Sequence, residues 1–368
     1  MNVVSLNLEG FRNYSQLHAA FDAGVNVITG DNAQGKTNLL EAVYYLAAGR
    51  SFRARSDRDV INLNSDMARI AAVIEAEGRR QSIEIGILRG RGKRISVNGV
   101  RKRTVAELSG KAACVLFSPD DLSIVKDGAA VRRRLMDMCL SQLRPRYAAL
   151  LSQYRRTYDG KLRILRDHRE KPSLLLMLDE YNAHLARLSA ELIRYRAWFA
   201  ENLSKYASSI HAEFSGGAEK LGIKYKTVST IDDPKRPAAE LCALIERHQA
   251  EHYGAELASG SCLTGAHKDD LEIDINGAPA KSFASQGQAR TAALSLKLAE
   301  RELHFAERNE YPILLLDDVL SELDKSRQSF VLNKIRGGQV FITCCEDDNI
   351  AARTGGTVMR IAAGQIVE

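Results

Sequence analysis

Residues 30–37 read GDNAQGKT, a Gly-x-x-x-x-Gly-Lys-Thr spacing directly behind the strand-like Asn26-Val27-Ile28. This spacing suits a phosphate chain. Gly30 and Gly35 reach backbone conformations that a Cβ would block, so N–H groups along Asp31, Asn32, Ala33 and Gln34 can converge on phosphate oxygens. Lys36 brings a cation to β- and γ-phosphates, and the Thr37 hydroxyl can ligate Mg²⁺. The helix-forming KTNLLEAVYYLAAG adds its N-terminal dipole to the anion site. Far downstream, the apolar run Tyr311–Leu316 ends in Asp317-Asp318. It predicts a buried strand delivering two carboxylates at its C-terminal edge, where α/β sheets place ligands. Asp317 is positioned to hold Mg²⁺ through its water shell, and Asp318 to orient an attacking water. Between the two lies FASQGQAR, heading the helical TAALSLKLAERELHF. Ser285, Gly287 and Gln288 there form a second anion-binding helix start. One chain cannot readily aim both anion sites at the same phosphates. The natural arrangement is two copies packed head to tail.

The elements that must position these residues follow from periodicity. Val3 to Leu8, Leu17 to Phe21 and Asn26 to Ile28 are predicted strands feeding the loop, with further strands at Arg69 to Glu75, Ser82 to Leu88 and Arg94 to Val97. Asn98-Gly99 between RISV and VRKR is a hairpin turn signal. From about Val131 the pattern is helical, interrupted near Pro145 and resuming to about Arg169. After Pro172, apolar positions Leu174, Leu178, Tyr181, Leu185, Leu188, Leu192, Tyr195, Phe199, Leu203, Tyr206 and Ile210 recur at 4,3 spacing. That is a heptad-like packing seam, and two such stretches joined by a short turn predict an antiparallel helical hairpin. A short strand at GIKYKTV and a helix to about Leu257 come next. The expected fold class is α/β, a mixed sheet with flanking helices and an inserted α-helical hairpin domain. The expected boundaries are 1–122, 123–217 for the insertion and 218–368.

Composition is ordinary for a globular chain of 368 residues. The N-terminus lacks the features of a signal peptide, and no apolar run reaches a membrane span, which predicts a cytoplasmic protein without a membrane partner. Six scattered cysteines form no CxxC pair, against a zinc site or a disulfide framework. Charge is uneven: residues 50–171 carry 28 Lys/Arg against 14 Asp/Glu, the remainder 24 against 32. A cationic middle beside an acidic remainder points to a polyanion, most simply nucleic acid. The expected DNA contacts are Arg50, Arg53 and Arg55, then Arg89, Arg91, Lys93 and Arg94, then Arg101, Lys102 and Arg103. Arg12, after the first strand, is expected to approach nucleotide phosphates. His267 reads as a hydrogen-bonded structural histidine ahead of a catalytic one.

Phosphate loop, Ser-x-Gly-Gln, apolar strand with two aspartates and Ser-x-Leu-Asp, in this order, resemble the ABC-type P-loop ATPase heads of DNA-maintenance proteins. LEGFRNY (Leu8 to Tyr14), FSPDDL (Phe117 to Leu122), RRRLMD (Arg132 to Asp137) and TGAHKDDLEI (Thr264 to Ile273) narrow the resemblance to the RecF family of recombination mediators, over essentially the whole length. The resemblance implies ATP and Mg²⁺ as cofactors and an ATP-dependent homodimer. It also implies binding of single-stranded, gapped or junction DNA. It further implies cooperation with RecR and RecO in loading RecA, support of the SOS response, a nucleoid-associated location and, at most, a weak DNA-dependent ATPase. Ala266, Lys268 and Ala289 depart mildly from the family pattern. Asp318 stands where ABC transporters have Glu, which implies slow hydrolysis, and Cys344-Cys345 stands where they have a switch histidine. No Q-loop glutamine is evident; FSPDDL takes that place. An ABC transporter subunit is therefore disfavoured. A long-armed chromosome-organising head needs hundreds of heptad residues, where this insertion has about 90. A nucleotide-binding scaffold without useful hydrolysis, or another SMC-like head, stays open as an alternative.

Overall fold

The structure is a computed structural model describing residues 1–345 and 350–367. The chain divides into two compact units, residues 1–122 with 293 onward, and residues 123–292. The second unit thus takes in 218–292 as well as the helical insertion expected at 123–217.

The first unit holds two six-stranded sheets. One is antiparallel and runs, edge to edge, Tyr14–Ala20, Asn2–Phe11, Met67–Ala76, Arg79–Leu88, Gly92–Val97 and Val100–Lys102. Asn98 and Gly99 both adopt positive φ, 51° and 75°, which makes the expected hairpin turn between the last two strands. The other sheet runs Gln365–Ile366, Thr357–Ala362, Val25–Thr29, Val340–Thr343, Ile313–Asp317 and Cys114–Phe117, all parallel except the two-residue edge strand. Its interior strands are apolar runs because both faces are covered. The helix Lys36–Ala48 contacts strands of both sheets and is buried nearly all round, from Leu39 through Ala47. A helix apolar on every face belongs between two layers. Gln339 ties the layers by exchanging hydrogen bonds with Val3, N–H to Oε1 at 2.7 Å and Nε2 to O at 2.9 Å. Its amide is buried, so both polar ends need such partners.

The second unit is built on the helices Ala129–Leu143, Pro145–Asp167, Leu178–Phe214 and Ala238–Ser259, with an antiparallel sheet of Leu221–Lys226, Asp270–Ile275 and Ala278–Pro279. Pro145 opens its helix, and Arg144 before it is extended, φ −130° and ψ 99°. Proline forbids the residue before it the helical region, which produces the predicted break. The 37-residue helix Leu178–Phe214 is roughly 55 Å long. Leu178, Leu185, Leu188, Leu192, Phe199, Leu203 and Ile210 of the predicted seam are buried; Tyr181, Tyr195 and Tyr206 are half-buried. Tyr195 meets Tyr147 edge-to-face, centroids 5.5 Å apart, while Gly160 faces the Tyr181 ring. Late residues of one helix thus meet early residues of the other, and the pair is antiparallel. A polar cluster threads this unit. Arg196 reaches Asp137 (2.8 Å), Asp269 (2.6 Å) and Tyr147 Oη (3.1 Å), and Arg132 forms a two-pronged pair with Asp270 at 2.7 and 2.9 Å. RRRLMD and the His-Lys-Asp-Asp block therefore meet in the unit's interior.

Candidate nucleotide-binding site

The strand Val25–Thr29, the loop 30–35 and the helix beginning at Lys36 realise the strand–loop–helix order expected of a phosphate cradle. Gly30 has φ 140° and Gly35 φ 122°, and a Cβ on Gly30 would stand 2.3 Å from the Ile361 carbonyl oxygen. Ala33 also takes the left-handed region, φ 65°. Lys36 is buried, and its ammonium donates to the carbonyls of Gly30 (2.6 Å) and Asp31 (3.0 Å). These carbonyls hold the cation within the loop.

Sheet order brings the acidic strand to the loop. Val340–Thr343 lies between the loop strand and Ile313–Asp317, and the Thr343 hydroxyl donates to Asp317 Oδ1 at 3.0 Å while accepting the Asp318 N–H at 2.9 Å. Thr37 donates to the same Asp317 oxygen at 2.8 Å. Burial pushes the Asp317 carboxyl above the usual carboxylate range, against the two hydroxyl hydrogen bonds. A desolvated carboxylate beside a threonine hydroxyl is a hard-oxygen pair that fits Mg²⁺. Asp318 sits in left-handed backbone, φ 53°, and its carbonyl accepts the Ser321 hydroxyl at 2.7 Å. Asp324 of the Ser-x-Leu-Asp run caps the helix Lys325–Lys334 by accepting the Arg327 N–H at 2.9 Å.

Several side chains at the loop escaped sequence reasoning. Asn13 Nδ2 donates to the Gln34 carbonyl (2.8 Å) and its Oδ1 accepts from Asn38 (2.8 Å), while Tyr14 Oη donates to the Gly35 carbonyl (2.9 Å). The FRNY motif is thus a brace on the phosphate loop. Its composition was visible; its target was not. Gln34 Oε1 also accepts the Ala363 N–H at 2.5 Å, and its carbonyl accepts the Gly364 N–H at 3.1 Å beside Asn13, a second brace on the loop. Cys345 donates to Asn32 Oδ1 at 3.1 Å and its sulfur lies 3.9 Å from the Lys36 ammonium. Cys344 is buried, its N–H bonded to the Ile28 carbonyl at 3.1 Å.

Two expectations fall differently. Arg12 forms a two-pronged pair with buried Glu41 (2.8 and 2.7 Å), its third nitrogen donating to the Asp59 carbonyl (2.8 Å). All three nitrogens have protein partners, so in this structure Arg12 anchors the chain to the loop helix. Arg53 donates to Asn38 Oδ1 at 3.4 Å, and its charge is among those acting on Asp317. It is exposed and stands beside the first turn of the loop helix. Lys93 pairs with Asp57 (2.8 Å) and donates to the Gly49 carbonyl (2.6 Å). Arg55, Arg91, Arg94, Arg101 and Arg103 are exposed, Arg50 and Lys102 are partly covered, and Arg89 reaches the Ser65 carbonyl at 3.2 Å.

Ser285, Gly287 and Gln288 lie in the second unit, at the start of the helix Gln286–Arg308. Ser285 Oγ accepts the Gln288 N–H (3.2 Å) and Gln288 Oε1 accepts the Ser285 N–H (2.9 Å), a reciprocal capping box. Ser285 and Phe283 are exposed. His267 has both ring nitrogens engaged. Nε2 faces the Cys262 carbonyl (3.0 Å), which fixes the proton there, and Nδ1 accepts from Tyr154 Oη (2.8 Å). Burial lowers its pKa to about 4, so it is a neutral structural histidine.

A braced phosphate loop, an acidic strand end two strands away and a capped Ser-x-Gly-Gln helix define an ABC-type ATPase head of the SMC kind. The RecF/RecN/SMC N-terminal domain model matches residues 2–364. Among curated relatives, "DNA replication and repair protein RecF" of Acetivibrio thermocellus is 36% identical over 99% of both chains. That of Pediococcus pentosaceus is 40% identical over 95% of this chain and 94% of its own. The chain belongs to the RecF family. It superposes on two solved structures of the recombination mediator protein RecF in the RecFOR pathway, in ATPrS and ATP forms, each with TM-score 0.91. The identities are 33% and 32%, over 99% of this chain and 97% and 96% of theirs. A Smc head from Pyrococcus furiosus shares the fold at TM-score 0.56 and 18% identity, over 99% of this chain and 94% of its own. No helix among the described residues is long and apolar enough to cross a membrane.

Proposed function

We propose that this chain is an ATP-gated DNA-binding protein of recombinational repair and replication restart, acting in the cytoplasm as a homodimer closed by ATP. The observation that carries this is the half-built site. Among the described residues Lys36 is held by loop carbonyls and a thiol alone, and Thr37 converges with Thr343 on one oxygen of Asp317. Such a loop accepts β- and γ-phosphates when Lys36 turns from its carbonyls to them. Thr37 and Asp317 are the residues to hold Mg²⁺, which would neutralise phosphate charge there. The exposed Ser285 of a second copy would complete the site, its helix start aimed at the γ-phosphate. Asn13, Tyr14 and Gln34 keep the loop in register for this. The exposed arginines 55, 91, 94, 101 and 103 then contact DNA phosphates. The family's RecFOR setting supports RecR and RecO as partners in loading RecA and in the SOS response.

A second reading, a nucleotide-binding scaffold without useful hydrolysis, draws on Asp318, whose carboxylate has no hydrogen-bond partner among the described residues to aim it at water. Sedimentation and DNA retention with ATP, ADP or neither, on the parent and Lys36→Met, test the main reading. The parent should dimerise and bind DNA more tightly with ATP, and Lys36→Met should weaken ATP binding about 10- to 100-fold, as loss of a charge-assisted hydrogen-bonding group predicts. Dimerisation indifferent to ATP would overturn it. Turnover equal in the parent and Asp318→Asn would favour the scaffold.

A further inference from the structure

The second unit carries a cleft that the nucleotide site does not use. It has a volume of about 350 Å³ and is lined by Arg144, Arg146, Glu191, Arg194, Tyr195 and Trp198. The last four stand at i, i+3, i+4 and i+7 of the helix Leu178–Phe214, hence on one face of it. Arg144 and Arg146 flank Pro145 where the helix Pro145–Asp167 begins, and first-turn amides there add partial positive charge. The Arg144 guanidinium lies 5.0 Å from the Trp198 ring centre. Arg146 and Arg194 are exposed; Tyr195 and Trp198 are half-buried, the Tyr195 ring fixed edge-on against Tyr147.

The mix of groups selects the ligand. Guanidinium groups call for an anion, and half-buried aromatic rings call for a flat or apolar body beside it. Glu191 makes the difference. A carboxylate repels an acidic peptide, but it accepts hydrogen bonds from the amino edge of a nucleobase. Phosphate, ring face and amino edge occur together in one unit of single-stranded nucleic acid, which proteins hold by stacking on aromatics and pairing with arginine. We infer that this cleft binds a nucleotide of single-stranded nucleic acid: phosphates on Arg146 and Arg194, the base against Trp198, its amino group on Glu191. The inference rests on the DNA-binding reading above and adds a contact that needs neither ATP nor a second copy.

Trp198 is the chain's single tryptophan, so its fluorescence reports this cleft alone. The experiment titrates the full chain without nucleotide with dC₁₂, dT₁₂ and a twelve-residue glutamate peptide. It follows tryptophan quenching and, with labelled oligomers, anisotropy. dC₁₂ should quench and bind several-fold tighter than dT₁₂, whose base edge lacks an amino group. The peptide should do neither. In Arg146→Ala/Arg194→Ala the slope of log K against log salt should fall by about 1.4, two phosphate contacts on a single strand. In Glu191→Gln the dC/dT preference should collapse while the salt slope stays. Thermal unfolding of each variant checks that the fold is kept. DNA binding without quenching, or quenching untouched by the arginine variants, overturns the cleft but leaves the ATP-gated reading intact. Quenching by the peptide assigns the cleft to an acidic protein partner and overturns the proposal. No DNA binding with or without ATP overturns both readings.

Discussion

Two buried cations, Lys36 and Arg196, are held in opposite ways. Arg196, at the heart of the second unit, has each nitrogen matched: Nε to Tyr147, Nη1 to Asp269 and the Ala266 carbonyl, Nη2 to Asp137. Its anionic partners are themselves satisfied, Asp269 by Tyr225 at 2.5 Å and Thr227 at 2.7 Å. Among the described residues Lys36 has two carbonyls and a distant thiol as partners, and no carboxylate. A buried charge needs a counter-charge. Arg196 finds its own within the second unit, whereas Lys36 has none among the described residues, which on the proposed reading leaves it for an arriving anion. The first cluster is architecture, and the second, on the proposed reading, is a receptor.

The largest effect should come from breaking the closed cluster. Arg196→Met strands two buried carboxylates and should destabilise the second unit by about 3–5 kcal/mol, the loss typical when one partner of a buried pair is removed. Trp198, two residues away, reports denaturant unfolding of that unit. Lys36→Met removes a charge whose partners among the described residues are carbonyls and a thiol, and should leave stability within about 1 kcal/mol of the parent while losing ATP. If the two variants unfolded alike, the contrast between architecture and receptor would fail.

Acid should separate the regions next. His267 stays neutral in the folded chain down to about pH 4, whereas the unfolded chain protonates it near 6.5. Between those values only the unfolded state takes up the proton. Stability therefore falls as pH drops from about 6.5 and levels off below about 4. His267→Gln, which can still accept from Tyr154 and donate to the Cys262 carbonyl, removes this titration. It should lose about 2–3 kcal/mol less than the parent between pH 7 and 4, in urea melts read through Trp198. Identical pH curves for the two would mean that His267 charges freely in the folded chain. Buried His304, pushed down to about 3, adds a slope of the same sign in both proteins, so only the difference is diagnostic.

How much of this was legible in the sequence depended on whether neighbours along the chain sufficed. The phosphate loop, the Asp317 strand, the Asn98-Gly99 turn and the Pro145 break each rest on a run of a few residues, so local pattern specified them. The strand Thr357–Ala362 did not show itself, because half of its residues are exposed and Arg360 interrupts its apolar ones. The second unit's extent, to residue 292, is set by packing of Leu221–Lys226 and Ala238–Ser259 on the long helix, and linear spacing carries no such contact. Arg12 and Lys93 read as free cations because Glu41 and Asp57 are 29 and 36 positions away in sequence. The partner of a charge is a tertiary fact.

The brace on the receptor gives the smallest and sharpest test. Asn13 touches no phosphate-binding group directly; it bonds the Gln34 carbonyl and Asn38, holding the loop's last peptide and the first turn of its helix together. Its side chain also packs where a Cβ on Gly35 would stand, 2.7 Å from Nδ2, so the brace and the glycine require each other. Asn13→Ala removes two exposed hydrogen bonds, each worth about 1 kcal/mol or less. Because the loop must hold its N–H groups convergent to bind phosphate, that loss should appear in ligand affinity, about five- to tenfold weaker ATP binding by titration, with the melting temperature nearly unchanged. A lower melting temperature with full ATP affinity would instead make Asn13 a strut of the antiparallel sheet and the loop self-supporting. Since the side chain of Arg12, its neighbour, bonds the helix and the 57–60 turn, Arg12→Ala should show that second pattern, and the pair separates bracing the receptor from bracing the fold.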